Sequence, residues 1–238
     1  KKKKKKNDVA TFFFRYEYKR AKKGLWKNKS FFLKNEIMKK ELSIILPIFN
    51  ERDSLPIMVR LLDSSINFKK EIIIVYDSEN DNAIDVAKDL ANELEHVKLV
   101  HNKISPGVRF AVEAGISEAN YDIILITAVD EIFPILAIDK MISHLIKNDL
   151  DFLSGTRYSK GGIRLGGSIM GSIFSRIANN LFKLFTNIPL SYCTTGIKMM
   201  KKTVWETIKL ESKPIGWAYA FELSIKVYLE GFKIDEYP

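Results

Sequence analysis

Leu42-Ser43-Ile44-Ile45-Leu46-Pro47-Ile48-Phe49-Asn50-Glu51 and Glu71-Ile72-Ile73-Ile74-Val75-Tyr76-Asp77-Ser78-Glu79-Asn80-Asp81 share one design, a short apolar run that ends on polar residues. Runs apolar on both faces suit strands of a parallel sheet covered on each side. In an open α/β sheet, ligands bind outside the carboxyl ends of the strands. Carboxylates there can receive a nucleotide base or ribose, or hold a metal ion.

The alternation continues outward from these two strands and predicts βαβ units from Glu41 on. Leu55, Val59, Leu62 and Ile66 recur at helical spacing over 54–67. Further helices are expected over 82–94, 108–119 and 135–147, with strands over 97–100, 121–127 and 151–154. The strand at 121–127 runs into Ala128-Val129-Asp130-Glu131. Beyond Gly155 the character changes. Gly161-Gly162 and Gly166-Gly167 predict a flexible loop able to close over a ligand. Ile169, Ile173, Phe174, Ile177, Leu181, Leu184 and Phe185 then form an apolar stripe, with Arg176, Asn179, Asn180 and Lys183 away from it. The stripe predicts a helix packed on its own sheet, the alternative being a helix on a membrane surface.

With 238 residues, 46% of them hydrophobic, the chain has room for one α/β domain and an appendage. The net charge of +9 is concentrated in residues 1–40, where Lys1 to Lys6 open the chain. From Glu41 the balance is close to neutral, which argues against a nucleic-acid-binding core. The basic extension carries Phe12, Phe13, Phe14, Trp26 and other aromatics. That mixture is compatible with a disordered tail or with a tether to anionic lipid. The single cysteine, Cys193, excludes an internal disulfide and points to a reducing compartment. No apolar run reaches the roughly 18 residues of a membrane span, and no signal peptide is recognisable.

Asp130 lies directly after a buried strand, where it can hold Mg²⁺ or Mn²⁺ against a diphosphate, since such ions take one or two carboxylates plus phosphate oxygens. Glu131 beside it offers a second ligand. Asp77 is the candidate for nucleotide binding, and Asp81 for capping the helix that follows. Asn50 is a second capping candidate, and Glu51 can contact a nucleotide. His96, His101 and His144 lack metal-ligand spacing.

Leu42 to Glu51 resembles the opening strand of the inverting family 2 glycosyltransferases of GT-A fold, and Glu71 to Asp77 their second strand. The stretch Asp151-Phe-Leu-Ser-Gly-Thr-Arg-Tyr-Ser-Lys-Gly-Gly162 is similar to the branch related to dolichol-phosphate mannose synthase. Thr194-Thr195-Gly196-Ile197-Lys198 and Trp217-Ala-Tyr-Ala-Phe-Glu222-Leu223 match that branch's later motifs. The resemblance implies a GT-A domain over 41–238, in a family whose chains run on past the equivalent of Pro238 into a segment with basic residues. Pro47, Phe49, Glu51 and Asp77 fall in its nucleotide pocket, and Asp130 on the second, metal-binding Asp of Asp-x-Asp. Glu222 falls near the acceptor site, and Arg157 and Lys160 in a segment facing phosphates. The implied reaction moves a sugar from a nucleoside diphosphate to a polyprenyl phosphate or another lipid-linked acceptor. The implied location is the cytoplasmic face of a membrane, held peripherally. Three positions depart from the pattern: Ala128 replaces the first Asp of Asp-x-Asp, Tyr192 replaces an Asp, and Arg109 stands where Gly is frequent. They leave a second reading open, a nucleotide-sugar-binding protein with reduced or no catalysis. A nucleotidyltransferase ranks last, for want of a Gly-rich basic signature after the first strand.

Overall fold

The computed structural model describes residues 41–162, 169–213 and 216–238. The basic extension and the Gly166-Gly167 half of the glycine loop lie outside the described residues. Chain order runs β1 (Glu41–Pro47), α1 (Ser54–Ser65), β2 (Lys69–Tyr76), α2 (Ile84–Glu93), β3 (Val97–His101), α3 (Val108–Ser117) and β4 (Ile123–Ile126). A 3-10 turn, Phe133–Ala137, leads into α4 (Ile138–Lys147) and β5 (Phe152–Gly155). Then come α5 (Ile169–Thr186), β6 (Lys198–Lys201), α6 (Lys202–Thr207), α7 (Ala218–Leu229) and β7 (Ile234–Tyr237).

The strands form one sheet in the order β3-β2-β1-β4-β6-β5-β7. β1 pairs in parallel with β2 and β4, and β2 with β3. β6 runs antiparallel to both neighbours, and β7 is parallel to β5. Every strand except β6 therefore ends on one edge of the sheet, and β6 begins there. The mostly parallel GT-A architecture expected from the sequence is present. Ile44, Ile45, Leu46, Ile72 to Val75 and Ile124 to Ile126 are wholly buried. Fully burying each such side chain contributes roughly 1.5–3 kcal/mol. That is why these runs lack a polar face.

At the opposite edge sits a buried charge. Glu71, 3% exposed, accepts hydrogen bonds from Ser43 Oγ at 2.6 Å, Lys98 Nζ at 2.6 Å and the Asn120 amide at 2.6 Å. Asn120 Nδ2 adds a fourth donor at 2.9 Å. Burial pushes its pKa up, but the Lys98, Ser43 and Asn120 donors outweigh it and hold the carboxyl below its ordinary value. Glu71→Gln, by turning charge-assisted bonds into weaker ones, should cost about 2 kcal/mol at neutral pH. A depressed carboxyl contributes stability above its unfolded pKa and loses it as pH falls. The gap between variant and wild type should therefore close in acid, as denaturant unfolding at pH 7 and at about pH 3.5 can check.

One expectation is overturned. α5 does not lay its apolar stripe on the sheet. It packs through Asn179, which the sequence pattern had assigned to the outer face and which is 2% exposed. Asn179 Oδ1 accepts from the Cys193 amide at 2.9 Å, and its Nδ2 donates to the Ser175 carbonyl at 2.8 Å. Phe182 tilts against Phe221 with ring centroids 4.2 Å apart. Ile173, Phe174, Ile177, Leu181, Leu184 and Phe185 of the stripe face solvent instead. Asn179 Oδ1 ties the helix to the Cys193 backbone while its Nδ2 bond stays within α5, and Phe182 joins it on the buried side, so the apolar residues opposite are carried outward.

Candidate active site

Three loops meet at the carboxyl edge because β2, β1 and β4 are consecutive and parallel. The loop after β1 is tied to the loop after β2. Asp81 Oδ2 accepts from the Asn50 amide at 2.8 Å, and Asn82 Oδ1 from the Arg52 amide at 3.2 Å. Asp81 Oδ1 also accepts from the Ala83 amide at 2.8 Å, so its side chain steadies the start of α2. Asn50 adopts φ 59°, a left-handed conformation that Asn tolerates better than most residues. Pro47 is half-buried at the end of β1, while Phe49 is 76% exposed beyond it. Glu51 Oε2 accepts from the Ser54 hydroxyl at 2.5 Å, at the entry to α1.

Asp77, directly after β2, is held from both sides. Its Oδ1 accepts from Asn102 Nδ2 at 2.7 Å and its Oδ2 from the Gly107 amide at 2.6 Å. Gly107 has φ 121°, a backbone that L side chains rarely adopt, and it turns its N–H toward the carboxylate ahead of α3. The carboxylate is thereby fixed on the rim.

Asp130 lies exposed in the turn after β4 and makes no hydrogen bond among the described residues. Glu131 points inward: its Oε2 is buried without a hydrogen-bond partner. Burial raises the Glu131 pKa and the neighbouring Asp130 charge adds to this, while Arg157 and Lys198 pull it back. Ser54 and Glu51 aside, the rim is therefore acidic outside and mixed within.

The other half of the sheet adds cations. Arg157 follows β5; its Nη2 donates to the Tyr192 hydroxyl at 2.6 Å, and its guanidinium lies 4.7 Å from the Tyr192 ring centroid. Lys160 is exposed in the same loop. Lys198, at the start of β6, is wholly buried, with Nζ 2.8 Å from Ser154 Oγ and 3.1 Å from the Cys193 carbonyl. Burial pulls its pKa down to about 7. The Tyr219 hydroxyl is buried without a partner, and burial together with Glu131 pushes its pKa well above the usual value. Gly196 lets the Thr194–Lys198 turn meet α7, since a Cβ there would stand 2.9 Å from the Trp217 ring.

Glu222, on α7, is spent on local structure. Its oxygens accept from the Glu211 and Ser212 amides at 2.7 and 2.8 Å, and it pairs with Lys226 at 2.7 Å. Burial pushes the other way, but these donors bring its pKa down to about 2. Arg109 braces the same loop through the Ser212 carbonyl at 2.5 Å. The structure thus gathers Pro47, Phe49, Glu51, Asp77, Asp130, Glu131, Arg157 and Lys160 on loops of one edge, with Glu222 bound to the loop at 211–212. Lys198 and Tyr219 were missed as site residues. A lysine in a strand normally reads as exposed, and the only signal was its place in the Thr194–Lys198 motif.

A family model described as glycosyl transferase family 2 matches residues 43–208. The chain is 28% identical over 191 residues to a dolichol-phosphate mannosyltransferase of Pyrococcus furiosus, covering 78% of this chain and 53% of that one. It is 22% identical over 203 residues to glycosyltransferase AglD of Haloferax volcanii, covering 83% and 32% respectively. It thus spans about half, or less, of the length of these curated relatives. In fold it is similar to glucosyl-3-phosphoglycerate synthase from Mycobacterium tuberculosis, solved with Mn²⁺, UDP-glucose and phosphoglyceric acid. The TM-score is 0.65 at 15% identity, covering 83% of this chain and 69% of that one. The family match takes in β1 through β6, and with it the loops that carry Asp77, Asp130 and Arg157, so this chain belongs to glycosyl transferase family 2.

Proposed function

We propose that the chain transfers a sugar from a nucleoside diphosphate donor to a polyprenyl phosphate, inverting the anomeric carbon, at a membrane surface on the cytoplasmic side. One observation carries the reading: acidic loops after β1, β2 and β4 share an edge with the basic loop after β5. In this reading Asp77, Glu51, Pro47 and Phe49 receive the nucleotide, and Arg157 and Lys160 face phosphate groups. An acceptor phosphate oxygen forms a bond to the anomeric carbon as the bond to the diphosphate breaks on the opposite face. That oxygen is already anionic, so no side chain need take a proton from it. Glu222, ionised at neutral pH by its amide donors and Lys226, serves as the anchor of the 211–212 loop rather than as a proton donor. The likeness to the Pyrococcus furiosus dolichol-phosphate mannosyltransferase supports the acceptor class.

Mg²⁺ or Mn²⁺ fits Asp130, an exposed carboxylate with no hydrogen bond among the described residues. Among those residues no group of three or more His, Cys, Asp or Glu is placed to hold a metal ion, so the ion must also take donor phosphate oxygens. When bound, the ion supplies positive charge against the departing diphosphate. Glu131, drawn inward among Arg157 and Lys198, is the weaker ligand of the two.

A screen of UDP- and GDP-sugars against a short-chain polyprenyl phosphate in detergent tests the proposal. Transfer from one donor is expected. Tight nucleotide binding with no transfer from any donor would favour the second reading, donor binding without catalysis, which Ala128 motivates. Asp77→Asn would turn a side-chain N–H toward Asn102 or Gly107, both donors. It should weaken nucleotide binding about ten- to hundredfold, readable by calorimetric titration with UDP and GDP.

A further inference from the structure

We infer that Tyr192 is a positioning residue: its hydroxyl and ring hold the Arg157 guanidinium on the rim without neutralising it, aimed at the phosphate of the acceptor. The inference deepens the acceptor reading and rests on it for the identity of that phosphate, not for the contact between the two side chains.

Tyr192 is a fixed post. Its backbone is pinned by its own bonds and by those of both neighbours. The Ser191 amide donates to Glu236 Oε2 at 2.5 Å, the Tyr192 carbonyl accepts from Ser154 Oγ at 3.3 Å, and the Cys193 amide donates to Asn179 Oδ1 at 2.9 Å. Those partners belong to β7, β5 and α5. The Tyr192 side is 9% exposed, and its ring packs on Tyr158 with centroids 4.9 Å apart. The hydroxyl accepts from Arg157 Nη2 at 2.6 Å, and the guanidinium lies 4.7 Å from the ring centroid, within cation–π range.

The charges nearby explain why such a post is needed. Among the described residues, the bond to Tyr192 is the only hydrogen bond of the Arg157 side chain, and no carboxylate is paired with it. An opposite charge is nonetheless close. Burial and Asp130 raise the Glu131 pKa, and Arg157 is first among the charges that pull it back. Glu131 Oε2 is buried without a hydrogen-bond partner. An unrestrained guanidinium would close on that carboxylate, because the charge-assisted fork is the stronger contact. Its charge would then be lost to a ligand. A tyrosine hydroxyl accepts a bond and adds no charge, so Tyr192 restrains the guanidinium and leaves it cationic. A carboxylate at 192 would restrain and neutralise it together.

Strand order selects the phosphate. In the proposed reading the nucleotide occupies the loops after β1 and β2, and the donor diphosphate meets its ion at the loop after β4. β5 stands two strands beyond β4 in the sheet, roughly 10 Å away at the usual interstrand spacing. Arg157 therefore lies on the far side of the diphosphate from the nucleotide, where an attacking phosphate oxygen has to arrive. The planar fork of a guanidinium suits a phosphate, which it can hold through two parallel bonds.

Tyr192→Phe tests the inference in the full chain, since it keeps the ring and its packing and removes only the hydroxyl. With isotopically labelled arginine, the Arg157 Nε–H resonance is identified by its loss in Arg157→Met. Its relaxation should report a rigid side chain in the wild type and a mobile or relocated one in Tyr192→Phe. Calorimetry with geranyl phosphate, with geraniol as the phosphate-free control, reads the consequence. Tyr192→Phe should weaken geranyl phosphate binding about tenfold, and Arg157→Met at least as much. Adding Tyr192→Phe to Arg157→Met should change it by less than about twofold, because the tyrosine acts through the arginine. Geraniol, UDP and GDP binding should be unaffected by Tyr192→Phe. In transfer assays its loss should fall on the acceptor KM and leave the donor KM unchanged. An Arg157 resonance unmoved by Tyr192→Phe, losses that add in the double variant, or a loss confined to the donor KM would each overturn the inference. Wild type that binds no geranyl phosphate, with Arg157 released in Tyr192→Phe, would instead overturn the acceptor reading and leave the hold of Tyr192 on Arg157 standing.

Discussion

Asp130→Asn should lower sugar transfer about hundred- to thousandfold, the usual cost of removing one fixed group that meets charge developing in a transition state. The side chain is exposed and makes no hydrogen bond among the described residues, so its loss should leave the melting temperature almost unchanged. Two measurements separate this from a fault in folding. The Mn²⁺ dependence of UDP or GDP binding should disappear in the variant, and metal-free nucleotide binding should remain. Ala128 leaves no other carboxylate at the Asp-x-Asp position, so in the proposed reading the metal-linked increment would rest chiefly on Asp130. An Asp130→Asn enzyme with full activity and undiminished Mn²⁺ response would dismiss the metal assignment.

Lys198→Met should stabilise the domain, by about 3–5 kcal/mol at neutral pH if the full depression of its pKa is counted. The sign follows from burial. Lys198 has a pKa of about 7 in the folded chain against 10.5 when exposed, so the unfolded chain binds more protons between those values. Wild-type stability should therefore rise as pH increases from about 7 toward 10.5, and below 7 the full penalty is present. In the Met variant that rise should vanish. The groups left behind keep other partners. Ser154 Oγ also donates to the Gly155 and Tyr192 carbonyls, and the Cys193 carbonyl also accepts from Ser224 Oγ. Urea unfolding at pH 6.5 and pH 9.5 reads the difference. If the variant is less stable than wild type at both, Lys198 is a net structural asset. The stabilised variant should also transfer sugar more slowly, because Glu131 loses the buried cation that offsets its charge.

The first half of the domain was legible from sequence because its signal is local. β1, β2 and β4 are short all-apolar runs, and a polar residue at the end of each marks the edge where ligands gather. Asp81 was read as the cap of the following helix; the N-cap position is instead Ala83, and Asp81 holds the Ala83 amide in the turn before it. Asp77 is on the rim, but its two donors, Asn102 and Gly107, come from a loop beyond β3 that no spacing rule points to. The later half was harder for physical reasons. β6 and β7 are four-residue strands, and β6 (Lys-Met-Met-Lys) has no strand composition; they exist because neighbouring strands present unpaired edges. The rotation of α5 was misjudged because periodicity identifies the apolar side of a helix without saying where that side points. The Asn179 amide, answering the Cys193 backbone, and Phe182, against Phe221, mark the side that is buried instead.

The reversed strand β6 also divides the assembly of the chain in time. β1 to β4 pair only with one another until β6 arrives, and can do so as soon as residue 126 has left the ribosome. β5 must wait with both flanks bare, one until residues 198–201 arrive and the other until residues 234–237 do. A nascent chain paused in that interval would carry a formed first half and an open hydrogen-bonding ledge, the state in which a chaperone or a neighbouring nascent chain would find it.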